Sequence, residues 1–471
     1  MNNRAVNVAT LGVEPSDRTD GPSLSWVAST QNFTLILMAH ALAAWMMWQS
    51  ESIATIHALL TLAVGLSFAL KGQQERVIYV AAYIVGAEVL WRMTGARVFW
   101  EMGKYSVSLV LLLALIRTRR DYLPLLPFFF FLLLLPSIAL VLFEPRWSLD
   151  QIRQQISFNL SGPFSLFICA WFFDGIKLDT MRFRHLLLAL LAPIIGIAIV
   201  ALANTLTAGP IDFYGSSNVV TSGGFGPNQV SAMLGLGTFA AFLLLLIGNV
   251  SKLQRLLYLG LLLWLVVQSL LTFSRTGVVL AFLASVATAL LLLSDARARL
   301  QVLLLALFLF AATQFIIVPQ LDAFTQGTFT VRYTDTSLTG RDEIAALDLD
   351  IWRQHLLDGV GPGRAVLFRS EAGHGASAHT EFTRLVAEHG MLGLLALLLL
   401  AVMMWHSFLR SRGGYNRAVV GGFLIWVVGF MIASAFRLVA PAFALGVTIA
   451  TLRLDNVNAP LNQEEIGSAE R

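Results

Sequence analysis

The chain consists of long, continuously apolar blocks separated by short polar breaks, and this pattern leaves it few ways to fold. A helix crossing the hydrocarbon core of a bilayer needs about 20 mostly apolar residues, each rising about 1.5 Å. Lipid offers no partner to a stray N–H or C=O, so only helices and closed barrels can span it. The blocks are uniformly apolar rather than alternating, which selects helices. Only 13% of the residues are charged, against about 25% in soluble domains. Spans are expected at 33–49, 52–70, 77–93, 98–116, 122–143, 160–176, 185–204, 230–247, 256–273, 278–293, 302–318, 391–408, 418–436 and 438–452. The expected fold is an all-α polytopic integral membrane protein with about 12–14 transmembrane helices and one large extracytoplasmic loop.

Orientation follows from the positive-inside bias. Alternate breaks are all basic: Lys71 and Arg76; Arg117, Arg119 and Arg120; Lys177, Arg182 and Arg184; Lys252 and Arg255; Arg297 and Arg299; Arg410, Arg412 and Arg417. The intervening set is poorer, and 205–229 has neither Lys nor Arg. Both termini are therefore expected in the cytoplasm, with the protein multi-pass in an inner membrane. The net charge of +4 orients the chain and does not mark a nucleic-acid binder, because no aromatic-interleaved basic patch occurs. Residues 1–30 are polar, read as a disordered cytoplasmic segment, and the first apolar block reads as an uncleaved anchor. A membrane region 31–318, a loop 319–390, a C-terminal membrane region 391–453 and a cytoplasmic tail 454–471 complete the division. Cys169 is the single cysteine, so no intrachain disulfide can form, and it reads as a small buried apolar residue.

The loop 319–390 is too long for a connector. It holds four of the eight histidines (His355, His374, His379, His389) and six arginines but no lysine. Thr339-Gly-Arg-Asp opens one expected helix, with Ile344, Leu347, Ile351 and Trp352 as its apolar stripe, ending at Gly359. Ser377-Ala-His-Thr-Glu opens a second, expected to end at Gly390. Gly359-Val-Gly-Pro-Gly-Arg364 is a turn-rich hinge between them. The loop reads as a lid packed on the membrane domain.

Three of its residues and neighbours could carry chemistry. Arg275, in Leu271-Thr-Phe-Ser-Arg-Thr-Gly277, sits in a very short outer turn, against the positive-inside bias. It is either an interface anchor or a rigid fork for an anion such as phosphate. Arg341 falls in a first helical turn, where the macrodipole disfavours a cation; a salt bridge to Asp342 or Glu343, or an anionic ligand, would resolve that. His379 is likewise expected in a first turn, which would keep it neutral and able to accept a proton, unless it is simply a structural cap. His374 with His379 would be a thin metal site, lacking a supporting ligand cluster, so no metal is expected. His355 and His389 read as helix-surface residues. Glu101 and Lys104, three apart, read as an internally neutralising pair. Gly223-Gly-Phe-Gly-Pro-Asn-Gln229 leads into a helix, with Asn228 able to cap it or touch a ligand.

Ser274-Arg275-Thr276-Gly277, Thr339-Gly-Arg341 with Trp352, Gly359-Val-Gly-Pro-Gly363, and Ala378-His379 with Glu388-His-Gly390-Met-Leu-Gly393 occur in this order after Pro227-Asn228. Together they resemble the O-antigen ligase and Wzy-type polymerase superfamily of bacterial multispanning glycan transferases, over roughly residues 215–408. Where that family often has His-Asn, this chain has His379-Thr380. The resemblance implies transfer of a glycan from an undecaprenyl-diphosphate carrier to an acceptor, either lipid A-core or another repeat unit. It implies that Arg275 and Arg341 bind the diphosphate with His379 as catalytic base, and Arg332 falls where the family tends to have an arginine; Arg332, Asn228 and His374 are expected to contact substrate. It implies no metal or other cofactor, and partners among other polysaccharide-assembly proteins. Arginines that neutralise a departing diphosphate and a histidine that takes the acceptor proton are chemically coherent with the residue-level reading. A transporter, whether a lipid-glycan flippase or an anion carrier, is the alternative. It should show two related halves with broken helices and midplane charges, and no such internal symmetry is visible. A non-catalytic scaffold would not need a loop rich in arginine and histidine.

Overall fold

A computed structural model describes residues 30–454 apart from 120–121, 248–249, 294, 338–339 and 376. About 77% of it is helical. Helices α1 (Thr30–Gln49), α2 (Glu51–Leu70), α3 (Gln74–Met93) and α4 (Met102–Arg117) come first, then the short α5 (Leu125–Leu132) and α6 (Ile138–Leu142). The long α7 (Leu149–Phe173), α8 (Thr180–Thr207), α9 (Pro227–Leu246), α10 (Lys252–Leu271) and α11 (Arg275–Leu292) follow. Next are α12 (Ala296–Ala312) and α13 (Val318–Phe324), joined by a π turn, and the short α14 (Thr328–Thr334), α15 (Arg341–Gln354) and α16 (Ala365–Glu371). The chain closes with α17 (Glu381–Arg410), α18 (Gly414–Ala433) and α19 (Ala440–Ile449).

Among the described residues, nine helices are long and apolar enough to cross a membrane: α2, α7, α8, α9, α10, α11, the run Ala298–Phe324, α17 and α18. Of the other expected spans, α3 carries Glu75, Arg76, Glu88 and Arg92, and α4 has only 16 residues. At the centre stands α9, buried along nearly its whole length against α8, α10 and α11. Its contact with α11 is backbone to backbone. A Cβ at Gly277 would meet the carbonyl oxygen of Ser231 at 1.7 Å, and one at Gly235 would meet that of Gly277 at 2.2 Å. Small residues permit this approach, and the buried Ser231 hydroxyl then bonds across the crossing.

Several boundaries differ from the sequence expectation. The block 122–143 is broken into α5 and α6 around Pro136, since proline cannot donate to the preceding turn. The helix expected from 160 begins at Leu149, where Ser148 and Gln151 form a capping box. The span expected to end at 318 continues to Phe324. The division at 390/391 falls inside a single helix, α17, bent at Gly390 (φ 59°, ψ −137°). A left-handed residue of that kind needs glycine, and the bend lets Gly359 and Gly390 pass in backbone contact. The last expected helix, 438–452, is shortened to α19, because Thr451–Arg453 forms a parallel two-stranded ribbon with Lys177–Asp179. Residues 1–29 and the tail beyond 454, as well as Thr339 and Arg120, lie outside the described residues. Cys169 is fully buried.

Candidate functional site

The site begins in the turn between α10 and α11. Phe273 adopts a left-handed conformation (φ 56°) that turns the chain in three residues, and its ring is buried against Phe213 at 4.8 Å. Ser231 Oγ donates to the Ser274 carbonyl at 2.8 Å and accepts from the Gly277 N–H at 3.0 Å, which fixes the start of α11. Asn228 does not cap α9, whose N-cap is Gly226; its Oδ1 accepts from Ser274 Oγ at 2.7 Å. Arg275, the first residue of α11, donates to the carbonyls of Asp335 and Ser337. Arg332 of α14 is buried and donates through Nε to the Phe273 carbonyl at 3.0 Å. Arg341 is the first residue of α15. It makes no salt bridge with Asp342 or Glu343, and its Nη1 approaches the Ala433 carbonyl at 3.5 Å.

These residues surround one cavity of about 300 Å³. Arg275, Arg332, Arg341 and Asn228 line one end, and Val279, Leu280, Leu283, Gly429 and Ile432 of α11 and α18 line the rest. Among the described residues, no carboxylate is on its wall. The first turns of α9, α11 and α15 all contribute residues to it, and a helix N-terminus presents unpaired N–H groups and partial positive charge. Burial, followed by mutual repulsion among the three guanidinium groups, lowers the pKa of Arg332 and Arg341 from the ordinary arginine value. The nearby Asp335 carboxyl is lowered, first by hydrogen bonds from Ser337 and then by Arg275 and Arg332. The cavity has a cationic end on an apolar trough, and one carboxylate outside its lining, Asp335, stands 3.8 Å from Arg332 Nη1.

His379 is near enough to Arg341 of this cavity to feel its charge, but it is not in a helical first turn. The N-cap of α17 is Thr380, whose hydroxyl accepts from the Phe382 N–H at 3.1 Å, so His379 precedes the cap. The basis for its neutrality therefore changes. Burial first, and then the charges of Arg341, Arg437 and Arg369, bring its pKa down to about 4. It is neutral at ordinary pH and can accept a proton. His374 is separate: it is exposed, with Nδ1 4.0 Å from Glu343 Oε2. His389, expected on a helix surface, is fully buried with Nδ1 2.6 Å from Ser137 Oγ. His355 ends α15 with its ring 5.4 Å from that of Phe368.

A second, larger cavity of about 1000 Å³ lies on the other side of the chain at Ala433–Ala435, Ala433 lining the small one and Ala435 the large. Three arginines that the sequence reading passed over, Arg369, Arg384 and Arg437, line it. Arg384 is buried between Glu381 and Glu388, with Nη1 2.6 Å from Glu388 Oε2. Arg369 pairs with Asp348, whose other oxygen accepts from Thr383 Oγ1 at 2.9 Å, tying α15 and α16 to α17. Arg437, in the break between α18 and α19, donates to the Ala378 carbonyl at 2.8 Å. The signal for Arg384 was present in the Glu-x-x-Arg-x-x-x-Glu spacing within an apolar helix. Arg437 showed only as a lone arginine between two apolar blocks. The expected Glu101–Lys104 pair is not formed: Lys104 Nζ is buried without a hydrogen bond, and Glu101 faces the large cavity.

No family model matches the chain, and no curated protein matches it.

Proposed function

We propose that the protein is a membrane glycan transferase of the O-antigen ligase and polymerase type. In this reading it moves a glycan from undecaprenyl diphosphate to an acceptor sugar, on lipid A-core or another repeat unit, at the periplasmic face of a bacterial inner membrane. One observation carries the reading: three arginines and three helix N-termini meet at the end of an apolar trough with no carboxylate on its wall among the described residues. A lipid diphosphate has the same polarity, with a dianionic head on a hydrocarbon tail. Guanidinium forks suit phosphate oxygens bidentately, and helix N-termini add favourable potential. The outward leucines of α2, α12 and α17, such as Leu59, Leu304 and Leu398, suit a lipid solvent. The basic breaks then put both termini in the cytoplasm and the short helices α14–α16 in the periplasm.

The chemistry follows from the parts. The acceptor oxygen attacks the anomeric carbon, its proton passes to neutral His379, and the glycosyl–oxygen bond breaks with its electron pair going to the diphosphate. Arg275, Arg332 and Arg341 stabilise the charge that grows there, and they do so more strongly in the transition state than in the ground state. A transporter is the second reading, and the observation in its favour is the break before the ten-residue α19. Buried Glu88 and Glu381 hold that break by accepting the N–H groups of Val439 and Phe436, which suits a fixed scaffold better than a gate.

The test is replacement of Arg275 and Arg341 by lysine, which keeps charge and loses the planar fork. Both variants should accumulate in the membrane, and glycan transfer in a complemented deletion strain should drop about tenfold or more, equivalent to about 1.4 kcal/mol. Full transfer by both variants would remove bidentate phosphate recognition from the mechanism. Uptake of free glycan into proteoliposomes, with no new glycosidic bond, would establish the transporter instead.

A further inference from the structure

The large cavity has a chemistry unlike that of the arginine pocket. Trp100, Tyr105 and Phe158 present aromatic surface to it, and Tyr105 is held by a 3.0 Å hydrogen bond between its Oη and Ser157 Oγ. Between them stand Glu101, in no ion pair among the described residues, and the amide of Asn159. Its guanidinium groups are largely spent: Arg384 lies between Glu381 and Glu388, and Arg369 on Asp348. Of the four arginines that line it, Arg437 alone has no carboxylate partner among the described residues, so the cavity is a poorer receptor for diphosphate than the arginine pocket. Rings beside amide and carboxylate groups suit a ligand with one apolar and one hydroxylated face, and that is a pyranose sugar. The volume of about 1000 Å³ is at the upper end of the roughly 300–1,000 Å³ typical of small-molecule sites.

Position adds a second argument. Ser377 and Ala378 line the cavity immediately before His379, and Arg437, on the same wall, grips the Ala378 carbonyl. A ligand filling this space therefore reaches the two residues that precede the histidine in the chain. The arginine pocket is linked to the same histidine through Arg341, which lines the pocket and whose charge acts on His379.

We propose that the large cavity is the acceptor subsite and takes a phosphate-free oligosaccharide, its sugar faces stacked on Trp100, Tyr105 and Phe158 and its attacking hydroxyl delivered to His379. This rests on the transferase reading. It puts acceptor selectivity in α4, α7 and the turn before α4, outside the region that carries the family-like motifs.

The experiment uses the full-length protein in nanodiscs with two photoreactive variants, Tyr105→p-benzoylphenylalanine in the large cavity and Val279→p-benzoylphenylalanine in the apolar trough. The probes are a tritium-labelled, lipid-free oligosaccharide released by mild acid from the deletion strain's envelope, and undecaprenyl diphosphate. Tyr105 should capture the oligosaccharide and Val279 the lipid diphosphate, each competed by its own unlabelled form. Trp100→Leu, at an exposed ring, and Phe158→Ala should raise the acceptor KM roughly 2–10-fold, the loss of one aromatic contact, with donor affinity unchanged. If Val279 captures its lipid while Tyr105 captures no glycan, or if Tyr105 captures the lipid, the acceptor subsite is refuted and the transferase reading stands. An unchanged acceptor KM in both substitution variants refutes it equally. If the wild-type protein binds no undecaprenyl diphosphate and transfers no glycan, the transferase reading fails and the subsite with it.

Discussion

Arg437 Nη2 donates to the carbonyl oxygen of Ala378 at 2.8 Å, so the break between α18 and α19 holds the residue before His379. The break is itself held by Glu88, which accepts from the Val439 N–H at 2.7 Å, and by Glu381, which accepts from the Phe436 N–H at 3.0 Å. Arg437 is thus a positioning residue with a charge that also bears on His379.

Replacing Arg437 with glutamine should reduce transfer about 100-fold, the scale expected when a catalytic group drifts by about 1 Å. Donor binding should stay unchanged, since the arginine pocket is intact. A purely structural loss would not move the pH profile, whereas this variant should. His379 works as a base only when neutral, so the rate falls as pH drops through its pKa, now about 4. Removing a positive neighbour raises that pKa towards the ordinary 6.5, so the acidic limb of the pH–rate profile should move upward. In the wild type the fold favours neutral His379, so the unfolded chain takes up the proton first. Stability should therefore decline as pH falls from 6.5 to about 4 and change no further below that on this account. An acidic limb at the same pH in both proteins would separate Arg437 from His379.

Topology can be read by cysteine labelling in a Cys169→Ala background. Cysteines at Ser337 and Ser370 should react with a membrane-impermeant thiol reagent in outer-membrane-permeabilised cells, and one at Ser251 should not. Labelling at Ser251 with protection of the other two would invert the orientation and remove the site from the periplasm.

The crossing of α9 and α11 should tolerate no side chain. A Cβ at Gly277 would meet the Ser231 carbonyl oxygen at 1.7 Å, so Gly277→Ala must push the helices apart and with them the turn that carries Arg275. It should fail to accumulate or lose transfer. Gly260→Ala has nothing within 4 Å and should be neutral or gain up to about 1 kcal/mol from helix propensity, measured as melting temperature in detergent. Equal behaviour of the two variants would mean that the crossing is looser than described.

Nine of the fourteen expected spans are matched by helices long and apolar enough to cross a membrane among the described residues, and these were legible because apolar length is displayed locally by a sequence. The features that shape the site were hidden because their partners are remote. The lone Arg437 marks the break between the last two apolar blocks, but not what holds it: its N–H groups are satisfied by Glu88 and Glu381, one of them 351 positions away. His389 reads as polar and therefore exposed until Ser137, 252 positions earlier, supplies its hydrogen bond. The bend at Gly390 interrupts neither periodicity nor apolar pattern, so a helix terminus was expected where a kink occurs. Arg275, Arg332, Arg341 and Asn228 could be singled out one at a time, by charge in apolar context or by a turn. Their meeting at one cavity is a tertiary fact.

His379 and His374 lie five positions apart and have opposite surroundings, which makes them a paired test of the base. His379 is half-buried and held neutral by burial and three arginines; His374 is exposed on a turn beside Glu343. General-base assistance typically contributes about 10²–10⁴-fold, so His379→Ala should lower transfer by that range. Undecaprenyl diphosphate should still bind, because the three arginines that would hold it are untouched. His374→Ala should remain within a few-fold of wild type, as expected for a surface substitution worth about 0.5 kcal/mol or less. The measurement is single-turnover glycan transfer alongside donor binding on the same purified proteins. Near wild-type transfer by His379→Ala, or a dead His374→Ala, would move the base elsewhere. If both variants fail and a chelator abolishes wild-type activity, the pair holds a metal and the proton-transfer role of His379 must be given up.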